Sequence, residues 1–243
     1  MDYNTAEYIV KPGIELEKLK NNAALMAVDF VRSGMVVGLG TGSTAEYAIS
    51  EIARRVNEHK LEGLVFVPTS LRTFRIASEL GLNMSYIEEH VNIDLTIDGA
   101  DEVDPDMNLI KGGGGALLRE KLIAQCSERN IIIVDESKVS GKLGTNFSLP
   151  VEVFPFAVKA SVGFIGGIGG NAKIRLNDDS SYFTTDQGNY IIDCDFGPIH
   201  DLRKLSNILG SRAGIAEHGL FLGIATDLIV GKAEGTEHIQ KEK

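Results

Sequence analysis

Two periodicities of apolar residues alternate along the first 138 positions of the chain. Short apolar runs of strand length are interleaved with segments in which apolar residues recur every three or four positions, as on one face of a helix. Strands that alternate with helices form βαβ units, so this pattern predicts a parallel sheet with right-handed crossovers. The predicted strands are 35–39, 64–68, 93–98 and 130–138, and the predicted helices are 15–33, 45–56, 71–81 and 116–127.

The pattern changes after Leu143, where strand-like segments follow one another closely. A tight turn is predicted at Gln187-Gly188 between two of these segments, and a helix at 200–209 follows them. Such a pattern is typical of a small α+β unit set into or after the parallel domain. The apolar segment 219–231 predicts one or two buried strands that return to the main sheet. The predicted strands of the small unit are 149–157, 172–177, 181–186 and 189–196.

Composition and charge narrow the class of protein. The chain has 243 residues, of which 43% are hydrophobic and 24% charged, which suits one large α/β domain or one domain with a smaller insert. Its net charge of −10 argues against nucleic acid or an anionic membrane as a partner, because both need a basic surface. A small anionic substrate is compatible with this charge, since it needs only a few local donors.

The cysteines, the histidines and the N-terminus bear on compartment and metal binding. Cys126 and Cys194 lie far apart without a CxxC motif, which predicts a reducing compartment, the cytoplasm, and no disulfide framework. The five histidines show no paired ligand spacing, so no metal is expected. The N-terminus lacks the apolar region of a signal peptide, and no segment reaches the roughly 18 apolar residues of a spanning helix.

The segment GLGTGST (38–44) ends a predicted strand and opens a predicted helix. A dinucleotide fingerprint would need glycine at the position of Ser43, and a P-loop would need a lysine that this segment lacks. A helix N-terminus with free N–H groups suits a single phosphate, to which the Ser43 and Thr44 hydroxyls can donate. The predicted phosphate contacts are therefore Thr41, Gly42, Ser43 and Thr44, although these residues could instead only cap the helix.

Acidic residues follow the predicted strand 93–98. Ligands of open parallel sheets bind beyond the carboxyl ends of the strands, so the Asp98–Asp101 turn, with Gly99 and Ala100, is expected to face the same crevice as the first glycine loop. Two close carboxylates resist joint ionisation, which can raise one pKa and create an acid or base. Asp98 and Asp101 could alternatively be ordinary turn residues. Glu102, Asp104 and Asp106 are expected to face water.

Lys111 precedes four glycines, Gly112–Gly115, and then a helix that carries Glu120. Gly112, Gly113 and Gly114 could bring backbone N–H groups close to developing negative charge, or they could form a flexible lid. Successive charges at 119, 120 and 121 lie about 100° apart on a helix rich in leucine, so at least one must point somewhere specific. A carboxylate near an apolar wall has a raised pKa and suits a general base.

Six motifs in order resemble the A-type ribose-5-phosphate isomerase family: VGLGTGST, TIDGADEVD, IKGGGGALLREK, VDESK, LPVEVFPFA and TDQGNYIIDCDFGPI. The resemblance covers nearly the whole chain from about Lys20 onward. It implies a Rossmann-like parallel sheet with helices on both faces, plus a smaller inserted α+β domain. It also implies homodimers or homotetramers, no cofactor, and interconversion of D-ribose 5-phosphate and D-ribulose 5-phosphate. The expected domains are 1–146, completed by 219–243, and 147–218.

The family motifs also imply roles for individual residues. Glu120 matches the base that moves a proton between C2 and C1 through an enediolate. Asp98, Asp101 and Lys111 match groups that assist ring opening and steady the charge on the substrate oxygens. Lys138 matches a phosphate contact. Lys20 matches a further phosphate contact more weakly, because Asn21 and Asn22 beside it depart from the expected pattern. The glycine-rich stretch 163–178 lies in the insert and is expected to be away from the chemistry.

Two other functions fit parts of the pattern. An amino-sugar-phosphate deaminase would need a histidine near the carboxylates, and none lies between His90 and His200. A sugar-phosphate-sensing domain of a transcriptional regulator would need a DNA-binding module, for which the short acidic N-terminus leaves no room. An intact set of chemically active side chains also favours catalysis over sensing: Asp98, Asp101, Lys111 and Glu120.

Overall fold

The computed structural model describes residues 12–241, and the N-terminal segment for which no signal peptide is predicted lies largely outside them. The helices are α1 (Pro12–Val28), α2 (Ser43–Asn57), α3 (Leu71–Glu79), α4 (Leu117–Gln125), α5 (Val158–Gly167) and α6 (Leu202–Gly210). The strands are β1 (Val36–Leu39), β2 (Val65–Pro68), β3 (Ile93–Asp98), β4 (Glu102–Val103), β5 (Leu109–Ile110), β6 (Ser127–Asp135), β7 (Leu149–Val153), β8 (Asn171–Ile174), β9 (Tyr190–Asp195), β10 (Ile215–His218), β11 (Leu220–Phe221), β12 (Asp227–Lys232) and β13 (Gly235–Gln240).

The main sheet has six strands in the order β13-β12-β6-β3-β1-β2. All neighbours pair in parallel except β13, which runs antiparallel to β12 at one edge. Ile131 and Ile133 of β6 pack in the cluster that contains α1 and α2, whereas Ile132 and Val134 pack in the cluster on the other face with Leu117 of α4. Because alternate side chains of a strand point to opposite faces, helices cover both faces of the sheet, as predicted.

A smaller antiparallel sheet, β10-β7-β9-β8, carries the insert. Its core includes Val151, Ile192 and Leu209, so α6 packs against the sheet. From β10 the chain passes through β11, which pairs with β5, before β12 enters the main sheet. We propose the domain bounds 147–218 for this insert, with 219–243 completing the main domain. Limited proteolysis that cuts elsewhere first would contradict these bounds.

Several elements differ from the sequence predictions. Segment 181–186 makes only isolated bridges, at Tyr182 and Thr184, instead of a strand. Helix α5 was not predicted, because its glycines lower helix propensity, yet Val158 and Ile165 are buried against the small sheet and hold the helix in place. Strand β13 has no apolar alternation and exists because it pairs with β12 along its whole length.

The prediction that Glu102 and Asp104 face water is wrong. Glu102 is fully buried, and its carboxylate accepts N–H bonds from Gly144 (2.7 Å), Thr145 (3.2 Å) and Asn146 (3.0 Å). Asp104 is also buried and accepts hydrogen bonds from the backbone of Asp106 and from Asn108. Both carboxylates satisfy loop N–H groups that would otherwise lack partners.

Asp106 is exposed, as predicted. Within residues 12–241, no helix combines the length and the apolar character that crossing a membrane requires.

Candidate active site

The carboxyl ends of β1 and β3 meet at one edge of the sheet. Asp98 ends β3, and its Oδ1 accepts N–H bonds from Gly99 (2.7 Å) and Thr41 (3.1 Å). At Gly40 a Cβ atom would lie 2.3 Å from Asp98 Oδ1, so only glycine allows the end of β1 to pass this carboxylate. The first glycine loop and the Asp98–Asp101 turn therefore face the same crevice, as the strand pattern predicted.

Lys111 lies at the centre of this crevice. It follows β5, and its Nζ is 3.1 Å from Asp98 Oδ2 and 3.4 Å from Glu120 Oε1. The same ammonium donates a hydrogen bond to Gly99 O at 2.6 Å. Asp98, Lys111 and Glu120 are each less than 5% exposed, so their charges interact with little screening by water. Glu120 Oε2 has no hydrogen-bond partner among the residues that the structure describes.

Burial sets the protonation of the two carboxyl groups. Burial raises the pKa of Glu120 to about 8; Lys111 opposes this rise, and the charges of Asp98 and Asp101 add to it. Burial likewise raises the pKa of Asp98, against the attraction of Lys111. Burial alone would lower the pKa of Lys111, but the charges of the nearby carboxylates outweigh it and raise that pKa. The site thus combines a stable cation with a carboxyl group that titrates near physiological pH.

The four glycines form a hydrogen-bonded turn above Lys111. Gly112 has a φ of +102°, and Gly115 N donates to Gly112 O at 2.9 Å. Gly113 N donates to Asp101 Oδ2 at 2.7 Å, and a Cβ atom at Gly113 would lie 2.5 Å from the other oxygen of that carboxylate. These contacts favour the interpretation of the segment as a fixed backbone cradle over that of a flexible lid.

The N-terminus of α2 lies at another side of the crevice. Gly42 is its N-cap residue, with a φ of +115° and no side-chain capping bond. Lys20 Nζ donates to Ser43 Oγ at 3.1 Å, which places an ammonium beside these N–H groups. Lys138 ends a short 3₁₀ helix (Glu136–Lys138) that Asp135 caps through Ser137 N. This end of the crevice is suited to an anion.

One solvent-open cavity, with about 550 Å³ of empty space, joins these groups. Asp98 does not line the cavity, but it contacts Lys111, which does. The cavity wall consists of Lys20, Thr41, Gly42, Ser43, Thr44, Gly99, Ala100, Asp101, Lys111, Gly112, Gly113, Gly114, Glu120 and Lys138.

Some residues around the site were not anticipated. The Thr41 hydroxyl contacts the hydroxyls of Thr69 (2.8 Å), Ser70 (2.8 Å) and Thr73 (3.1 Å), so it anchors the loop instead of facing the cavity freely. The expectation that the stretch 163–178 lies away from the chemistry is wrong at Arg175, which bonds to the glycine turn. The sequence gives no signal for either contact, because each joins segments far apart along the chain.

Lys121, the neighbour of Glu120, is also buried. It donates to Glu217 Oε1 and to His218 O, both at 2.6 Å. Burial lowers the pKa of Lys121 and lowers that of His218 to about 4. Glu120 and Lys121, two of the three successive charges of α4, thus have specific partners. This is consistent with the prediction that at least one of these charges points somewhere specific.

Comparisons with known proteins agree on one family. A model described as "Ribose 5-phosphate isomerase A (phosphoriboisomerase A)" matches residues 65–235. The ribose-5-phosphate isomerase A of Desulfatibacillum aliphaticivorans is 53% identical over 92% of this chain and 97% of its own length.

Two solved structures are similar over nearly their whole length. A D-ribose-5-phosphate isomerase in complex with phospho-erythronic acid has a TM-score of 0.91 at 36% identity, covering 93% of this chain and 99% of that one. The ribose 5-phosphate isomerase of Plasmodium falciparum has a TM-score of 0.90 at 39% identity, covering 93% of this chain and 100% of that one.

Proposed function

We propose how this chain, which belongs to the ribose 5-phosphate isomerase A family, performs the reaction of that family. The chain interconverts D-ribose 5-phosphate and D-ribulose 5-phosphate in the pentose phosphate pathway. In our proposal Glu120 is the general base: it removes the proton from C2 of the open-chain aldose and returns it to C1 through an enediolate. The observation that carries this role is its buried carboxyl group beside Lys111, with a pKa of about 8.

The enediolate needs groups that stabilise negative charge on O1 and O2. Lys111 retains its positive charge in the buried site, because the carboxylates around it raise its pKa. Asp98 orients Lys111 from behind, and Asp101 holds the glycine turn through Gly113 N. We assign Lys111 and the N–H groups of the turn to the substrate oxygens, and Asp98 and Asp101 to ring opening and support. Such a preorganised cradle stabilises charge that develops only in the transition state.

The phosphate is assigned to the N-terminus of α2. Gly42, Ser43 and Thr44 offer N–H and hydroxyl donors there, and Lys20 and Lys138 line the same cavity. A bound phosphate supplies orientation and binding energy at a distance from the reacting carbons. The related enzyme in complex with phospho-erythronic acid supports a site for a phosphorylated sugar derivative.

An NMR assay tests the whole proposal. The purified protein, treated with a chelator, should convert ribose 5-phosphate to ribulose 5-phosphate, and in D₂O it should incorporate deuterium at carbon during the conversion. No turnover, or turnover that returns only when a metal is added, would contradict the cofactor-independent mechanism.

The activity should depend on the ionisation of Glu120. Because only the carboxylate can accept the proton, kcat/KM for ribose 5-phosphate should rise with pH and level off above about 8, the pKa of Glu120 in the free protein. Initial rates between pH 7 and 9.5 measure this profile, since a substrate phosphate titrates near ~6 and is then fully ionised. A profile that is flat across this range would assign the base to another group.

Removing the Lys138 ammonium should mainly weaken substrate binding. We expect Lys138→Ala to raise KM by about tenfold or more with a small change in kcat, because a hydrogen bond to a charged group contributes about 1.5–3 kcal/mol. Lys142→Ala is the control, since Lys142 contacts His200 outside the cavity. An unchanged KM for Lys138→Ala would remove Lys138 from the phosphate site.

We also propose a homodimer or homotetramer in the cytoplasm. The family resemblance supports the assembly, and the stacked phenylalanines Phe154 and Phe156, exposed by 41% and 88%, offer an apolar surface for it. The free cysteines Cys126 and Cys194 are compatible with a reducing compartment. A monomeric mass by light scattering would contradict the proposed oligomer. A membrane or extracellular location of the tagged protein would contradict the cytoplasmic location.

A further inference from the structure

Arg175, which follows β8 of the insert, reaches across to the glycine turn of the main domain. Its Nη1 donates one hydrogen bond to Gly112 O at 3.0 Å and another to Gly113 O at 2.9 Å. These two carbonyl groups belong to the peptide units that carry the N–H groups of Gly113 and Gly114. The insert therefore contacts the backbone that forms one wall of the catalytic cavity.

The planarity of the peptide makes this contact directional. In a trans peptide the C=O and N–H bonds point in opposite directions, so a carbonyl held on one side fixes its N–H on the other. The Gly113 N–H then points at Asp101 Oδ2, 2.7 Å away. The Gly114 N–H has no acceptor among residues 12–241, and Gly114 lines the cavity. Without side chains, these peptides could otherwise rotate into several conformations at little cost.

Arg175 is itself held rigidly. Its guanidinium pairs with Asp193 through Nε to Oδ2 at 2.9 Å and through Nη2 to Oδ1. The guanidinium also lies 5.6 Å from the ring of Phe183, and its side chain is only 15% exposed. A planar guanidinium can pair with both oxygens of a carboxylate and donate to two carbonyl groups at once, whereas a lysine ammonium has only three donors, all on one nitrogen.

We infer that Arg175 is a positioning residue that fixes the peptide orientation of the glycine turn. By holding the carbonyl groups of Gly112 and Gly113, it aims the Gly114 N–H at the substrate oxygens and keeps Gly113 bonded to Asp101. The inserted domain thereby contributes to catalysis through the backbone of the main domain. This inference rests on the proposed function for its catalytic consequence, while the orientation of the turn is independent of it.

Kinetics on Arg175→Lys and Arg175→Met test the catalytic consequence. We expect kcat for ribose 5-phosphate to fall about 10–100-fold, as expected when an oxyanion donor is misplaced. KM and the inhibition constant of inorganic phosphate should change by less than a few-fold, since the phosphate end does not contact Arg175. Millimolar guanidinium should partly restore kcat to Arg175→Ala. Arg212→Met is the control: Arg212 packs on the ring of Phe164 in the same domain, away from the turn.

Hydrogen exchange at the Gly113 amide tests the orientation of the turn without any activity. The amide should exchange faster in Arg175→Met than in the wild type, because its bond to Asp101 is no longer fixed. An unchanged kcat in a folded Arg175→Met, or an equal loss of kcat and of phosphate binding with lower thermal stability, would overturn the inference. If the wild type itself failed to isomerise the sugar, the proposed function would fail, whereas hydrogen exchange would still decide the role of Arg175 in the turn.

Discussion

Glu120→Gln should lower kcat by at least ~10²-fold with little change in KM. Glutamine keeps the shape of the side chain and a hydrogen-bonding oxygen toward Lys111, but it cannot accept the proton from carbon. The loss should therefore appear in the chemical step and not in binding. Steady-state kinetics with ribose 5-phosphate, together with deuterium exchange at C2, measure it. Survival of activity in this variant would show that Glu120 is not the base.

Glu152→Gln provides the matched control for this change. Glu152 is also fully buried, and burial raises its pKa, but it accepts its hydrogen bonds from Thr185 and Asn189 in the insert. The Glu152→Gln variant should retain kcat within a few-fold. A comparable loss of kcat in both variants would indicate that disturbing any buried carboxyl group is enough to lower activity, and that Glu120 has no specific role.

Glu120→Gln should also change how stability depends on pH. Because folding raises the pKa of Glu120 from 4.5 to about 8, protonation of this group favours the folded state. That contribution is fully present below about 4.5 and is lost as pH rises through about 8. The wild type should therefore lose unfolding free energy relative to Glu120→Gln over this range. Thermal melts of the two proteins at pH 5 and pH 9 measure the difference.

Lys111→Met should be the most damaging single change in the site. Its removal leaves Asp98 and Glu120 buried without their counter-charge, a situation that typically costs about 3–5 kcal/mol when the carboxylates stay ionised. We expect kcat to fall by at least ~10²-fold, since the enediolate loses its main cationic neighbour. The pH at which kcat/KM is half-maximal should rise above that of the wild type, because Lys111 lowers the pKa of Glu120.

Lys121→Met is the control that distinguishes the specific effects of removing Lys111 on kcat and on the pH profile from the general effect of removing a buried lysine. Lys111 and Lys121 both lie near the ring of Phe221, at 5.6 and 4.9 Å, and both are almost fully buried. Lys121 pairs with Glu217 outside the catalytic cavity, so Lys121→Met should lower thermal stability while leaving the pH profile in place. If Lys111→Met left the pH profile unchanged, Lys111 would not be the group that sets the pKa of Glu120.

The parallel domain could be predicted because its signals are local. Strand β3 was predicted with its observed bounds, since an apolar run of strand length lies between polar segments. The position of the site also could be predicted, because the carboxyl ends of parallel strands face one crevice and both the first glycine loop and the Asp98–Asp101 turn follow such ends. Helix α5 and strand β13 could not be predicted from their own residues, because α5 depends on packing against the small sheet and β13 on pairing with β12.

The acidic residues between 98 and 106 show the limit of local reasoning. Their sequence context is similar, yet Asp98 faces Lys111, Glu102 caps the Gly144–Asn146 loop, and Asp106 faces water. Whether a carboxylate is solvated or buried depends on which N–H groups and cations the fold brings within hydrogen-bond distance. For Glu102 that information lies 42 to 44 positions away, in the N–H groups of Gly144, Thr145 and Asn146.

The class of fold, the two glycine-rich loops and the residue types available for proton transfer can be inferred from the sequence, because periodicity and turn chemistry are short-range properties. Three features depend on how the chain folds: the distances between Asp98, Lys111 and Glu120, the burial that raises the pKa of Glu120, and the contact of Arg175 with the glycine turn. Coulomb interactions and desolvation depend on separation in space and on exclusion of water, and both arise when distant segments pack together.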